Sequence, residues 1–182
     1  MGERSFRKHR AMSYKYLKNW KNERILNTLK KKTRLSIIDN NPLTNRLMSK
    51  VGHNFRVEVL KQASVYHKSL SEIGILNINE IGTYRSVILA TDHYPSIYAH
   101  TFMPNKYISG KERFLKILGS RSLGTYILRP KRFKKKQVMY RLINNSIHRI
   151  AIYKNGRKTI YVNEIFPRNF CLEKISILHA RS

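Results

Sequence analysis

Apolar and charged positions alternate over Phe55-Arg-Val-Glu-Val-Leu60, as they do in a half-buried strand. Tyr84 to Thr91 and Ser96 to Met103 give two more strands, separated by the turn-like Asp92-His-Tyr-Pro95. Gln137 to Ile143 is a fourth. His148 to Tyr153 and Thr159 to Phe166 flank Lys154-Asn-Gly-Arg157, in which Asn155-Gly156 signals a hairpin turn. Helical spacing is rarer. Asp39-Asn-Asn-Pro42 is a turn signal, and Leu43-Thr-Asn-Arg-Leu-Met-Ser-Lys50 reads as a short helix. Ser109-Gly-Lys-Glu112 matches a capping box leading into a helix with Phe114, Leu115, Ile117 and Leu118, stopped by Gly119. Residues 1–35 read as a basic leader. There Tyr14, Leu17, Trp20, Ile25, Leu26 and Leu29 make a loose helical stripe, expected to lie against a domain formed by residues 36–182. Hairpins and short helices without strand–helix–strand alternation predict an α+β fold, a single domain with an antiparallel sheet.

Composition narrows the class. The 182 residues are 41% hydrophobic, enough for a core, so wholesale disorder is not expected. The 37 Lys and Arg against 10 Asp and Glu give a net charge of +27. Basic residues gather in the leader, where they end in Lys30, Lys31, Lys32 and Arg34, and in Arg129-Pro-Lys-Arg-Phe-Lys-Lys-Lys136. Two readings are open: phosphate neutralisation on a nucleic acid, or solvated surface in a chain rich in Lys, Asn, Ile and Tyr. No RNP-type aromatic motif, KH-type GXXG loop or Cys/His finger accompanies the charge. Cys171 is the single cysteine, which excludes an intramolecular disulfide framework and a multi-cysteine metal site. No apolar run approaches the ~20 residues of a membrane span, and no apolar h-region follows the basic start. The expected location is the cytoplasm.

Several catalytic patterns fail. The eight glycines never fall at GxGxxG spacing, and Gly119-Ser-Arg-Ser-Leu-Gly124-Thr125 lacks the Lys of a phosphate loop. The seven histidines show no HExxH or HxH spacing, and no GxSxG elbow is present. One carboxylate stands out. Glu164 shares strand parity with Ile160, Val162 and Phe166, so an inward face would bury it among apolar residues. A buried carboxylate needs a cation or donors, or it must be protonated. Arg85 is the matching anomaly, heading a face with Val87 and Leu89. A ligand pocket, a buried ion pair, or an Arg85 at a solvated strand end would each satisfy this pattern.

The order of motifs resembles the chorismate pyruvate-lyase family over roughly residues 40 to 167. Leu43-Thr-Asn-Arg-Leu is similar to that family's short helix near the pocket, and Phe55-Arg-Val-Glu-Val-Leu60 to its first strand. Tyr84-Arg-Ser-Val-Ile-Leu89 resembles its Arg-bearing strand, and Ala99-His-Thr-Phe-Met-Pro104 its A-x-T-x-x-P segment. Leu115-Lys-Ile-Leu-Gly-Ser-Arg-Ser-Leu-Gly-Thr-Tyr-Ile-Leu128 resembles LxxLGxxPLGxxLF, and Tyr161-Val-Asn-Glu-Ile-Phe166 the terminal LLxTExF strand. Ser122 departs from the usual Pro, Ala99-His100 from a small residue and Arg, and His148-Arg149-Ile150-Ala151 from an Arg-rich run that Arg149 would continue.

The resemblance implies a pocket under helical lids and elimination of pyruvate from chorismate, leaving 4-hydroxybenzoate for ubiquinone synthesis. It implies no metal and no organic cofactor. Its ligand contacts map onto Leu43, Arg85, Leu123 and Glu164, with Arg85 and Glu164 as the catalytic pair. The expected partners are chorismate and 4-hydroxybenzoate, bound by a monomer. A non-catalytic ligand-binding member of the same fold, or a basic RNA- or ribosome-associated protein, are the alternatives.

Overall fold

Six strands hydrogen-bond into one sheet, antiparallel throughout, in the order β1-β2-β3-β6-β5-β4. They are β1 (Arg56–Tyr66), β2 (Ile81–Ala90), β3 (Ile97–Pro104), β4 (Lys134–Ile143), β5 (Ser146–Asn155) and β6 (Lys158–Pro167). This is a computed structural model, which describes residues 19–66, 80–127 and 133–172. Tyr14 and Leu17 of the leader stripe, and residues 129–132 of the second basic cluster, lie outside them.

All six expected strands form, five of them longer than expected and β3 shifted by one residue, and the α+β expectation holds. Both hairpin turns need a left-handed residue at the bend. Gly156, at φ +57°, opens the β5–β6 turn, and Asn144, at φ +50°, opens the β4–β5 turn. Asn155 itself still pairs with Lys158, so the two turn residues are Gly156 and Arg157.

The helices are α1 (Lys31–Ile38), α2 (Leu43–Val51) and α3 (Leu123–Ile127). Helix α2 is the predicted one. The segment Gly110–Ile117 differs from expectation: it winds as a 3₁₀ helix, and Ser109 makes no side-chain cap. Glu112 is instead drawn to Lys158 on β6, Nζ to Oε2 2.5 Å. Glu112, Leu115 and Leu118 are buried at a spacing of three, the period of a 3₁₀ helix rather than an α-helix.

The leader stripe is not one helix either. Lys21 bridges Tyr140 of β4 through two backbone hydrogen bonds of 2.8 and 2.9 Å, protecting that sheet edge. A 3₁₀ turn over Glu23–Thr28 and then α1 follow. Leu26 and Ile37 join the same core as Leu43, Leu47, Val87, Leu89 and Phe166. A second cluster holds Leu115, Leu118, Leu123, Ile127, Tyr153 and Val162. Strand residues of odd number on β2, β3 and β5 and of even number on β6 feed both clusters. The opposite face carries Tyr84, Phe102, Ile150 and Ile152 with Trp20.

Candidate functional site

Between the two apolar clusters lies a small cavity, partly open to solvent. Leu43, Arg85, Leu123 and Glu164 all line it, from four segments far apart in the chain. Leu43 opens α2 directly after Pro42, and Leu123 opens α3, so each backbone N–H belongs to a first helical turn and has no acceptor within its own helix. The two helix starts approach closely: a Cβ on Gly124 would come within 3.4 Å of Thr44 Oγ1.

Arg85 stands between Gln62 of β1 and Thr101 of β3 and is 2% exposed. Its Nη2 donates to the carbonyls of Gly119 at 2.7 Å and Arg121 at 3.0 Å. Its Nε is buried with no hydrogen-bond partner. Burial pushes the guanidinium down to about 10, with no charged neighbour contributing, so it stays cationic at neutral pH. An orphan buried donor costs roughly 1–3 kcal/mol until an acceptor arrives. Gln62 owes its position to a bulge. Pairing shifts between Val59 and Lys61, so Gln62 rather than Lys61 comes opposite Arg85. Its Oε1 accepts from Gly119 N at 3.2 Å, which fixes the loop leading to Leu123.

Glu164 is inward, as strand parity predicted, but its cation is Arg149 and not Arg85. The β5–β6 register sets Arg149 opposite Glu164, and Arg149 Nε donates to Glu164 Oε2 at 2.6 Å. Arg149 Nη1 donates further to the carbonyls of Ile37 at 2.6 Å and Asp39 at 3.1 Å, closing the C-terminal end of α1. Its guanidinium lies 5.4 Å from the Phe166 ring centroid. Burial opposes its charge, yet the charge of Glu164 and the hydrogen bond to it outweigh burial and raise its pKa. Arg46, in the first turn of α2, anchors the same corner through Asp39 at 3.1 Å and Ser36 O at 2.8 Å.

Sequence reasoning had given Arg149 only the remnant of an Arg-rich run, and had left Lys135 in a surface cluster. Lys135 in fact lines the cavity beside Tyr153, its Nζ held by Asn40 O at 3.1 Å. The signal for Arg149 was present: counting back from the Gly156 turn pairs positions that sum to 313, which joins 149 to 164. Arg149 also interrupts the inward row of Ile147, Ala151 and Tyr153 as Glu164 interrupts its own.

Set against known proteins, residues 18–174 match the family described as chorismate lyase. A protein named "Probable chorismate pyruvate-lyase" from Psychromonas ingrahamii is 27% identical over 139 residues, 70% of this chain and 74% of its own length. A solved GntR-family transcriptional regulator from Bacillus cereus aligns over 67% of this chain and 98% of its own, with a TM-score of 0.43 and 17% identity. The family match spans the sheet, all three helices and every residue lining the cavity, and the chain belongs to the chorismate lyase family.

Proposed function

We propose that this protein eliminates pyruvate from chorismate to give 4-hydroxybenzoate, without a metal or organic cofactor. The observation that carries this reading is a family match combined with a cavity holding an unpaired buried guanidinium at one part and an anchored carboxylate at another. Chorismate has a ring carboxylate, an enolpyruvyl ether and, on the carbon next to that ether, a hydroxyl. Loss of the proton from the hydroxyl-bearing carbon and breakage of the neighbouring C–O bond leave an aromatic ring. The departing enolpyruvate takes up a proton to become pyruvate, so atoms balance with no outside reagent. Aromatisation supplies the driving force, and the protein has to orient a dianion and handle a proton.

Arg85 binds the ring carboxylate in this reading, because a planar guanidinium offers a two-point fork that an ammonium does not. The N–H groups of Leu43 and Leu123 add donors that carry no charge. Glu164 accepts the hydrogen bond of the ring hydroxyl and carries the proton, with Arg149 fixing its orientation. Proton transfer of this kind typically contributes ~10²–10⁴-fold. The product would enter ubiquinone synthesis in the cytoplasm, and the enzyme would act as a monomer.

The test is incubation with chorismate while following pyruvate and 4-hydroxybenzoate together. Equal release of both supports the reading. Binding of 4-hydroxybenzoate without turnover indicates a non-catalytic relative instead, and salt-sensitive RNA binding with neither indicates the basic surface as the working part. Glu164→Gln should slow turnover by ~10² or more while product still binds; near-normal turnover would leave Glu164 a positioning role only.

A further inference from the structure

The cavity wall carries three cations, Arg85, Lys135 and Arg149, and one anion, Glu164. Arg149 is matched by Glu164. Arg85 and Lys135 are held by neutral oxygens: two loop carbonyls for Arg85, the carbonyl and amide oxygens of Asn40 for Lys135. Neither makes an ion pair with a described residue. Three positive charges less one negative leave two, which is the charge of a dicarboxylate.

Lys135 reaches the cavity through a backbone irregularity. Along β4, Val138 pairs with Ala151 and Gln137 with Ile152, but Tyr153 pairs with Lys135, so Lys136 is an extra residue. Without this bulge Lys136 would face the cavity and Lys135 the opposite side of the sheet. Of the consecutive Lys134, Lys135 and Lys136, the outer two are exposed and only the middle one lines the wall. Its Nζ lies 6.0 Å from the Tyr153 ring centroid. The two cations also differ in where they stand. Asn40, whose carbonyl holds Lys135 Nζ, directly follows Asp39, whose carbonyl accepts from Arg149 Nη1, whereas the carbonyls that hold Arg85 belong to Gly119 and Arg121. Lys135 therefore belongs to the Glu164 end of the cavity and Arg85 to the other.

Resting on the function proposed above, we infer that Lys135 binds the enolpyruvyl carboxylate of the substrate and so distinguishes substrate from product. The ether and the hydroxyl are on adjacent ring carbons, hence a hydroxyl at Glu164 brings the second carboxylate to the Lys135 end. The aromatic product has one carboxylate and makes no use of Lys135.

The experiment compares wild type with Lys135→Met and Lys135→Arg, measuring KM and calorimetric Kd for chorismate and the inhibition constant of 4-hydroxybenzoate. Loss of a charged hydrogen bond should weaken chorismate about tenfold or more in Lys135→Met. The inhibition constant of 4-hydroxybenzoate should stay within about twofold, and Lys135→Arg should retain most of the wild-type KM. Unchanged KM and Kd, or equal weakening of substrate and product, would overturn the inference, and thermal melts identify any general loss of fold. Wild-type turnover separates the two claims: an active wild type with an indifferent Lys135→Met fails this inference alone. A wild type that neither binds nor converts chorismate fails both.

Discussion

Arg85 and Arg149 line one cavity, are comparably inaccessible to solvent, and are built into opposite electrostatic situations. Arg149 is complete: a carboxylate, two helix-end carbonyls and an aromatic face account for its charge and donors. Arg85 is incomplete, with two neutral carbonyls, no carboxylate and a buried Nε lacking any acceptor. A paired buried ion has its desolvation cost offset within the fold, whereas a buried ion without a counter-charge keeps a cost that an incoming anion would relieve. The contrast teaches that charge and burial alone do not identify a binding residue. What identifies it is the part of its bonding capacity that the fold leaves open.

The sharpest way to break this comparison is to remove Arg149. Arg149→Met would strand Glu164 beneath α1 and release the carbonyls of Ile37 and Asp39, costing about 3–5 kcal/mol of stability. In a chain of this length that corresponds to a fall in Tm of roughly 6–20 °C. Adding Glu164→Gln to Arg149→Met removes the uncompensated charge and should recover a large part of the loss. Denaturant melts of the two single variants and the double variant measure this coupling. Independent, additive losses would mean that the pair is not the unit described here.

Arg85 should behave in the reverse sense. Arg85→Ala is expected to lower chorismate kcat/KM and 4-hydroxybenzoate affinity by about 10²-fold, as two charge-assisted bonds to one carboxylate are lost. Stability should change by less than that, because the variant also removes an unsatisfied buried donor and its desolvation cost. Arg85→Lys should restore little of the affinity, since an ammonium cannot fork. Unaltered product binding in Arg85→Ala would contradict the clamp. A smaller effect is expected at Gln62, whose amide holds Gly119. Gln62→Leu should raise KM several-fold, near 1 kcal/mol, by loosening the loop before Leu123.

The strands were legible because half-buried strands write their two faces into the sequence as alternation, and Phe55 to Val59 does so without interruption. Glu164 and Arg85 were legible for the same reason, each a charge on an apolar parity. The partner of Glu164 was recoverable from the turn, yet a charged residue in a strand invites a surface interpretation until its register is counted. The bulges were not legible. One inserted residue exchanges the faces of everything beyond it, and neither Val59-Leu60-Lys61 nor Lys134-Lys135-Lys136 has an alternation that would reveal the slip. Helix α1 escaped because Lys31 to Ile38 buries only Thr33, Ser36 and Ile37, two of them polar. The capping box at Ser109 misled because Glu112 has a stronger attraction than a backbone N–H, the ammonium of Lys158.

Strand β5 carries a third solution to burial, next in sequence to Arg149 and on the other face. His148 lies edge-on to Trp20 at 6.5 Å and within 3.5 Å of the Asn163 amide, with Arg141 opposite it on β4 and His100 nearby. Burial, then Arg141 and His100, lower its pKa to about 4. Where Arg149 is paired and Arg85 keeps a buried donor unmet, His148 is kept neutral. Between its ordinary 6.5 and about 4 the unfolded chain binds the proton that the native state refuses, so stability falls as pH drops through that window. After allowance for solvent screening of a half-buried ring, this amounts to about 1–2 kcal/mol. His148→Gln keeps an amide in the same surroundings without a titrating group. Its Tm should therefore decline less than that of the wild type between pH 7 and 4.5, the carboxylates common to both chains cancelling in the difference. Parallel declines would show that His148 accepts its proton in the folded protein, and that this face of β5 tolerates the charge which the other face can hold only by pairing it.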